Sequence, residues 1–355
     1  MLRQKNSQKK FQKVNVWKLL AWAIVLALVL AACSSPASPE ETVEVPTALP
    51  TAEAQPFRVA VILPSAANDL AFSQSMFDAL NRVQNDMGGA DKMQFVYSQG
   101  MFVIEDAATA LQTYASLDYD LVIAHGSQYG DSLKAAAAAY PNVSFVWTNA
   151  VTPTHMPNVF DVVAAAEEGG YVNGVLAATL TNSKVIGVVG PVEVGEPKQY
   201  VESFKAGVLA TDPEVQVLVN YIGSFSDVVK GAEAANEQIA AGADVMTGTS
   251  QMVVGPIGAA NEKNVLWFGT QSNQSSLAPK IVVSNQVYHW EVALKDVITK
   301  IQSGVAGGEY FDLNLANGGI VIEYNPDYAL STKAKALVDA TVKGISDGTI
   351  AISQP

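Results

Sequence analysis

The chain has 355 residues, of which 21 are Lys or Arg and 34 are Asp or Glu, giving a formal net charge of −13 at pH 7. A surface this acidic repels phosphate backbones, so the composition argues against a nucleic-acid partner. The single cysteine excludes a disulfide within the chain, so stability must come from buried cores, and the chain is long enough to form two lobes.

The amino terminus is basic, then apolar, then rich in small residues. Basic residues from Arg3 to Lys18 precede a continuous apolar run that is too short, as a helix, for the ~30 Å hydrocarbon core. This order is typical of an export signal, and we predict a signal peptide over residues 1–32. The run ends Leu-Ala-Ala-Cys33, which resembles a bacterial lipobox and implies lipidation of Cys33 after cleavage. The alternative is an uncleaved anchor, and either places the remainder on the extracytoplasmic face of the cell membrane.

Residues 33–55 are rich in Pro, Ser, Thr, Ala and Glu and have no apolar periodicity, which predicts a disordered tether. From Pro56 the pattern changes to short β-rich runs that alternate with amphipathic helices. This alternation predicts an α/β fold of parallel sheets covered by helices on both faces. The predicted strands are 57–63, 121–124 and 143–148, and the predicted helices include 72–83, 131–139 and 167–180.

The same order starts again at Lys184, so the chain appears as two copies of one architecture. Two open sheets side by side bring the carboxyl ends of their strands to a shared cleft, where ligands of such sheets bind. The predicted strands of this second copy are 185–189, 217–221, 244–247 and 265–269, and its helices are 200–208 and 228–241.

Three breaks rich in Pro, Gly, Asn or Thr, near 149–157, Gln271 and 304–308, predict three crossovers between the lobes. Lobe 1 then comprises residues 56–150 and 272–306. Lobe 2 comprises residues 151–271 and 307–355, and a last helix near 331–345 is expected to pack on it.

Four stretches in order carry a resemblance to a known family. They are AANDLAFSQSMFDAL from Ala66, AAEEGGYVNGVLAATL from Ala165, GVVGPVEVGEPKQYVESFKAGV from Gly187 and NYIGSFSDVVKGAEAA from Asn220. Together they resemble the basic membrane protein family of purine nucleoside receptors. The resemblance implies a type I periplasmic binding fold, with two Rossmann-like lobes joined by a three-crossover hinge. It also implies a lipid-anchored receptor that binds a small solute, a purine nucleoside or related base, for an ABC permease in the membrane.

A purine offers a flat π-face and a polar rim, so a receptor needs aromatic rings and directional polar groups. The resemblance makes Phe72 and Phe225 the two stacking rings, one from each lobe; for Phe72 the alternative is packing of the helix start onto its lobe. Ser73 and Gln74 follow at the helix amino terminus, where free N–H groups meet polar ligand atoms. Plain helix capping by Asn68, Asp69 or Ser73 is the alternative there.

The ribose side departs from the family. Gln271 stands where nucleoside receptors of this family carry an acidic residue, so a charge-assisted bond to the sugar is expected to be missing. Asn149 is a further candidate partner for a hydroxyl group. Tyr288 and Trp290 are candidates for the cleft lining, whereas Trp267, inside an apolar strand, is expected in the core.

Two acidic residues have open alternatives. Glu168 is either a hinge residue, as in the family, or a solvent-exposed helix residue, and Asp227 is expected to cap the following helix rather than bind ligand. The three histidines are scattered without metal-ligand spacing, and no nucleophile elbow or phosphate loop occurs. The sequence therefore predicts no enzyme, no metal and no cofactor; a sugar receptor and a sensory ligand-binding module of the same fold remain the alternatives to the nucleoside receptor.

Overall fold

The computed structural model describes residues 55–150 and 152–352. The predicted signal peptide, Cys33 and all of the predicted tether except Gln55 lie outside the described residues. Within the described ranges, no helix is both long and apolar enough to cross a membrane.

The described chain alternates strands and helices, as the sequence predicts. Its strands are β1 (Phe57–Ile62), β2 (Met93–Ser98), β3 (Leu121–His125), β4 (Ser144–Thr148), β5 (Val159–Ala164), β6 (Val185–Gly190), β7 (Gln216–Tyr221), β8 (Val245–Gly248), β9 (Leu266–Gln271), β10 (Val282–Tyr288), β11 (Glu309–Leu313) and β12 (Ile320–Tyr324). Its helices are α1 (Phe72–Asp86), α2 (Ile104–Ser116), α3 (Gly130–Ala139), α4 (Ala166–Leu180), α5 (Gly195–Thr211), α6 (Val228–Ala240), α7 (Val254–Lys263), α8 (Glu291–Gln302) and α9 (Thr332–Ser346).

The strands form two six-stranded sheets, which confirms the two-lobed α/β architecture. The first has the order β11-β5-β4-β3-β1-β2 and the second the order β12-β10-β9-β8-β6-β7. Every neighbouring pair is parallel except β10 and β12, which run antiparallel. Both sheets are covered by helices, so their central strands are apolar on both faces.

The chain changes sheet at points other than the predicted boundaries. It passes from β5 to α4 after Ala164, from β10 to α8 after Tyr288, and from β11 to β12 after Leu313. The predicted boundaries at 150/151, 271/272 and 306/307 are therefore wrong. The Pro-rich break at 149–157 falls between β4 and β5 in the sequence, and these two strands pair within one sheet. The real passages are short and carry no Pro or Gly signal at their start, so composition did not reveal them.

Two glycines of the family-like motifs are packing residues. A β-carbon on Gly174 of α4 would lie 2.0 Å from the carbonyl oxygen of Phe204, and one on Gly207 of α5 would lie 2.2 Å from that of Tyr171. Helices α4 and α5 therefore approach each other at backbone contact, which only glycine permits. This contact holds α5, and with it the first turn of α5, against the second lobe.

The last helix, α9, packs on α4 and beside β12, which confirms its place on the second lobe. Trp267 is completely buried and its indole N–H donates to Gln274 Oε1 at 3.0 Å, so it is a core residue as expected.

Candidate functional site

A cavity of about 260 Å³ lies where the carboxyl ends of the two sheets face each other. Loops that follow strands of both lobes contribute to it, as expected for open parallel sheets. Phe72, Asn149, Phe225 and Gln271 of the predicted site line it; Ser73, Gln74, Tyr288 and Trp290 do not. Its lining is Pro64, Phe72, Phe102, Ile104, Gly126, Ser127, Gln128 and Asn149 from the first lobe, and Glu196, Pro197, Phe225, Ser250, Gln251 and Gln271 from the second.

Phe72 forms the first aromatic wall. Its ring stacks on His125 with centroids 3.9 Å apart and planes 10° apart, and it meets the edge of Trp290 at 5.9 Å. The indole N–H of Trp290 donates to Ser75 Oγ at 2.8 Å, which holds the indole behind the pair. Phe72 is only 7% exposed, so the ring packs the start of α1 onto its lobe. The same ring also lines the cavity, so it has both of the roles considered from the sequence.

His125, missed by the sequence analysis, supports Phe72. It is fully buried at the end of β3, and burial lowers its pKa to about 3, so the ring is neutral at physiological pH. The Phe72 carbonyl can only accept, so His125 Nε2 carries the proton and donates to it at 2.9 Å. Nδ1 then accepts from the Thr148 hydroxyl at 3.0 Å. Its position just before Gly126, at the end of a predicted strand, was the signal that could have marked it.

The amino terminus of α1 offers no free N–H groups at Ser73 and Gln74, so the expected ligand role of these residues is not supported. The Asp69 carboxylate accepts from the backbone N–H groups of Ala71, Ser73 and Gln74 at 2.9, 3.1 and 3.0 Å. The Ser73 hydroxyl is buried against Ser65, and Gln74 Oε1 accepts from the Leu70 N–H. Asp69 therefore caps α1, which was the alternative to ligand binding at this helix start.

Phe225 forms the opposite aromatic wall and differs from Phe72 in its support. It lies in the loop between β7 and α6 and is 37% exposed. The loop ends at Asp227, whose carboxylate accepts from the Lys230 N–H at 3.0 Å, so Asp227 caps α6 as expected. Phe225 therefore lies two residues before a capped helix start, and its ring remains accessible.

Gln271 belongs to a polar cluster that the sequence analysis did not foresee. Its Nε2 lies 3.3 and 3.5 Å from the two carboxylate oxygens of Glu196, in the first turn of α5. The buried Tyr288 hydroxyl donates to Oε1 of the same carboxylate. Tyr288 thus contributes behind the lining rather than within it. The acidic group that is missing at position 271 is supplied by Glu196 of α5. Glu196 was not predicted, because it does not stand at the position where the family carries an acid.

Burial raises the pKa of Glu196, and the negative charge of Glu167 acts in the same direction, while the hydrogen bonds from Tyr288 and Gln271 lower it. Burial and the Glu196 charge raise the pKa of Tyr288 well above its usual value. The Tyr288 hydroxyl therefore keeps its proton and remains a donor to Glu196.

Two amide oxygens of the lining, Oε1 of Gln251 and Oε1 of Gln271, are buried and have no hydrogen-bond partner within the described part of the chain. A buried acceptor without a partner is unfavourable by about 1–3 kcal/mol. Three lining residues at strand ends also have positive φ angles: Asn149 (52°), Ser250 (75°) and Gln271 (67°). Unpaired acceptors and strained backbone together are typical of a site that is completed by a ligand.

Asn149 and Glu168 hold neighbouring segments. Asn149 Oδ1 accepts from the Ala164 N–H at 3.3 Å, next to the first passage between the lobes. Glu168 Oε2 accepts from the Leu315 N–H at 2.7 Å, in the third passage, so Glu168 is a hinge residue.

Comparison with known proteins places this geometry in context. Residues 57–354 match the model of the Bmp family, described as ABC transporter substrate-binding protein PnrA-like. The chain is 25% identical to the ABC transporter nucleoside-binding protein BmpA of Lactococcus lactis, over 96% of this chain and 99% of the relative. It is 24% identical to a purine-binding protein of Brucella abortus, over 73% of each chain. A solved ABC transporter solute-binding protein of Conexibacter woesei has the same fold, with a TM-score of 0.71, 23% identity, and coverage of 84% of this chain and 98% of that one.

Proposed function

The chain belongs to the PnrA-like family of ABC transporter substrate-binding proteins, and we propose that it binds a purine nucleoside or a related purine base in the cavity between its lobes. The family assignment confirms that the chain is a binding protein and not an enzyme. In the proposed role it delivers this solute to a membrane permease.

The observation that carries the proposal is the composition of the cavity lining. Aromatic rings come from both lobes, Phe72 and Phe102 from the first and Phe225 from the second, and polar side chains of both lobes line the space between them. A purine base between two rings gains stacking energy on both faces, while Gln251, Gln271 and Glu196 are placed to meet donors at its rim or on a ribose. The printed names of two relatives, nucleoside-binding and purine-binding, support the same solute class.

Calorimetric titration of the purified protein tests the proposal. The panel contains adenosine, guanosine and inosine, the bases adenine and hypoxanthine, and, as controls for the aromatic walls, glucose and ribose. We expect saturable binding of at least one purine compound and none of the sugars. Binding of a sugar with no response to any purine would contradict the proposal and favour a sugar receptor.

Lobe closure is part of the proposed mechanism, because Phe72 and Phe225 belong to separate lobes. A solute that contacts both rings stabilises the closed arrangement. Small-angle scattering with the solute that gives calorimetric binding is expected to show a smaller radius of gyration, and an identical profile at saturation would argue against closure.

We further propose that Cys33 is lipidated and anchors the protein on the extracytoplasmic face of the membrane. The support is the sequence order of basic residues, apolar run and Leu-Ala-Ala-Cys33. Cys33→Ser is expected to abolish metabolic labelling with a radiolabelled fatty acid and leave an unprocessed precursor. Labelling at the wild-type level in Cys33→Ser would contradict lipidation at this residue.

A further inference from the structure

Glu196 is the one ionisable side chain among the described residues that line the cavity, and the donors Tyr288 and Gln271 favour its ionised form. No Lys or Arg side chain from the described ranges lines the cavity beside it. A negative charge in a partly enclosed space is screened less than one on the surface, so it acts strongly on any charged solute.

The Glu196 carboxylate is oriented from behind. Tyr288 donates to Oε1, and Gln271 Nε2 approaches both oxygens at 3.3 and 3.5 Å. An ionised carboxylate offers about four lone-pair sites, so these two donors leave acceptor capacity for a solute. The packing of α5 on α4 through Gly174 and Gly207 keeps the first turn of α5, where Glu196 lies, in place.

We infer that Glu196 is a specificity-determining residue, which selects solutes that bring hydrogen-bond donors and rejects the phosphorylated forms of the same solutes. This inference rests on the proposed binding of purine compounds. A hydroxyl or N–H group of the solute donates to Glu196 in a charge-assisted bond, which is about twice as strong as a neutral one. A phosphate in the same cavity meets like charge and no cation among the described lining residues, so a nucleoside 5′-monophosphate loses affinity relative to its nucleoside.

Calorimetry on the full panel of purines and on the three nucleoside 5′-monophosphates tests this inference. For the wild type we expect each monophosphate to bind at least ~100-fold more weakly than its nucleoside. Glu196→Gln retains an acceptor for Tyr288 and removes the charge. It is expected to weaken binding of the preferred purine by about tenfold and to reduce the preference over the monophosphate by about tenfold or more.

Glu193→Gln is the matched control, because Glu193 is an exposed acid in the loop just before α5 and its loss changes the net charge equally. It is expected to leave both affinities within about twofold. Tyr288→Phe retains the ring and the Glu196 charge but removes one donor behind it, so it is expected to weaken purine binding by about threefold and keep most of the discrimination. If Glu196→Gln is unfolded at the temperature of the titration, purine binding by Tyr288→Phe still tests the contribution of the Glu196 cluster.

The outcomes separate the two proposals. Purine binding by the wild type with unchanged affinities in folded Glu196→Gln would overturn the role of Glu196 and leave the proposed function standing. Monophosphates that bind the wild type as tightly as nucleosides would also overturn the role of Glu196 and leave the proposed function standing. A wild type that binds none of the purines would overturn the proposed function and this inference together.

Discussion

The two walls of the cavity are built in opposite ways. The first-lobe wall is supported by a closed aromatic stack, in which Phe72, His125 and Trp290 contact one another and each polar ring atom has a protein partner. The second-lobe wall has an accessible ring, Phe225, and acceptors in Gln251 and Gln271 that lack partners among the described residues.

This difference indicates a division of work between the lobes. A stack that is complete without ligand fixes the shape of the site before binding, which lowers the entropy lost on association. Acceptors that are incomplete without ligand gain their hydrogen bonds only from a solute with matching donors, which provides selectivity. The aromatic stack of the first lobe thus supplies shape, and the unpaired acceptors of the second lobe supply hydrogen-bond specificity.

The largest expected effect is a loss of stability at low pH, caused by protonation of His125 behind the first-lobe wall. The folded protein protonates His125 only near pH 3, whereas the unfolded chain does so near pH 6.5. Between these values the unfolded state binds more protons, so the free energy of unfolding falls as the pH falls. A shift of this size corresponds to about 5 kcal/mol, present above pH 6.5 and lost progressively toward pH 3. Urea unfolding between pH 7 and pH 4 measures most of this loss.

His125→Asn provides the control, because Asn does not titrate and still offers a donor and an acceptor. The pKa values of Asp244 and Glu323 are lowered, so protonation of these carboxylates in acid also destabilises the protein. Both residues are present in the wild type and in His125→Asn, so the difference between the two proteins isolates His125. We expect the wild type to lose stability more steeply than His125→Asn below pH 6.5. Parallel curves would show that the first wall is not held by a neutral imidazole.

The next effect compares the two rings directly. Phe72→Ala removes a buried ring from the stack and is expected to lower the free energy of unfolding by about 3–5 kcal/mol. Phe225→Ala removes a partly exposed ring and is expected to change it by less than about 1 kcal/mol. Both are expected to weaken purine binding by about 10- to 100-fold, since stacking contributes ~1–3 kcal/mol per ring. Denaturation and calorimetry on the same samples give both quantities, and equal losses of stability would remove the contrast between the walls.

The sequence predicts most of this fold because periodicity reports local structure. The predicted and observed bounds of β3, β6, α3 and α6 differ by one residue each. The assignment of strands to lobes fails because periodicity does not say which sheet a strand joins. The turn-rich loop before β5 looks like a domain boundary, whereas the passage after Ala164 is marked only by three alanines.

The site is predicted in part for a related reason. Phe72 and Phe225 follow strands within recognisable motifs, and both line the cavity. His125 and Glu196 come together with their partners only through tertiary contacts between distant segments, so their roles cannot be inferred from neighbouring residues. Asp69 is the opposite case. It caps residues that follow it directly in the chain, so the sequence analysis could include this role among its alternatives.

The smallest expected effect probes the second wall at Gln271. Its Oε1 has no partner among the described residues, and we propose that it accepts from a ribose hydroxyl; its Nε2 contacts the Glu196 carboxylate. Gln271→Ala removes one hydrogen bond to the solute, which corresponds to about 1 kcal/mol or about a fivefold loss of nucleoside affinity. A free base lacks the sugar hydroxyls, so we expect its affinity to change by less than about twofold. Alanine keeps the strain of the positive φ angle at this position, so the comparison isolates the side chain.

Gln251→Ala is the matched variant, because Gln251 has the same unpaired amide oxygen on a different loop of the same wall. Calorimetry with a nucleoside and its base on both variants separates the roles of the two amides. Equal losses for nucleoside and base in Gln271→Ala would place Gln271 at the base instead of the sugar. No loss for either solute in both variants would mean that the open acceptors of the second lobe do not select the ligand, and the division between a shaping wall and a selecting wall would then fail.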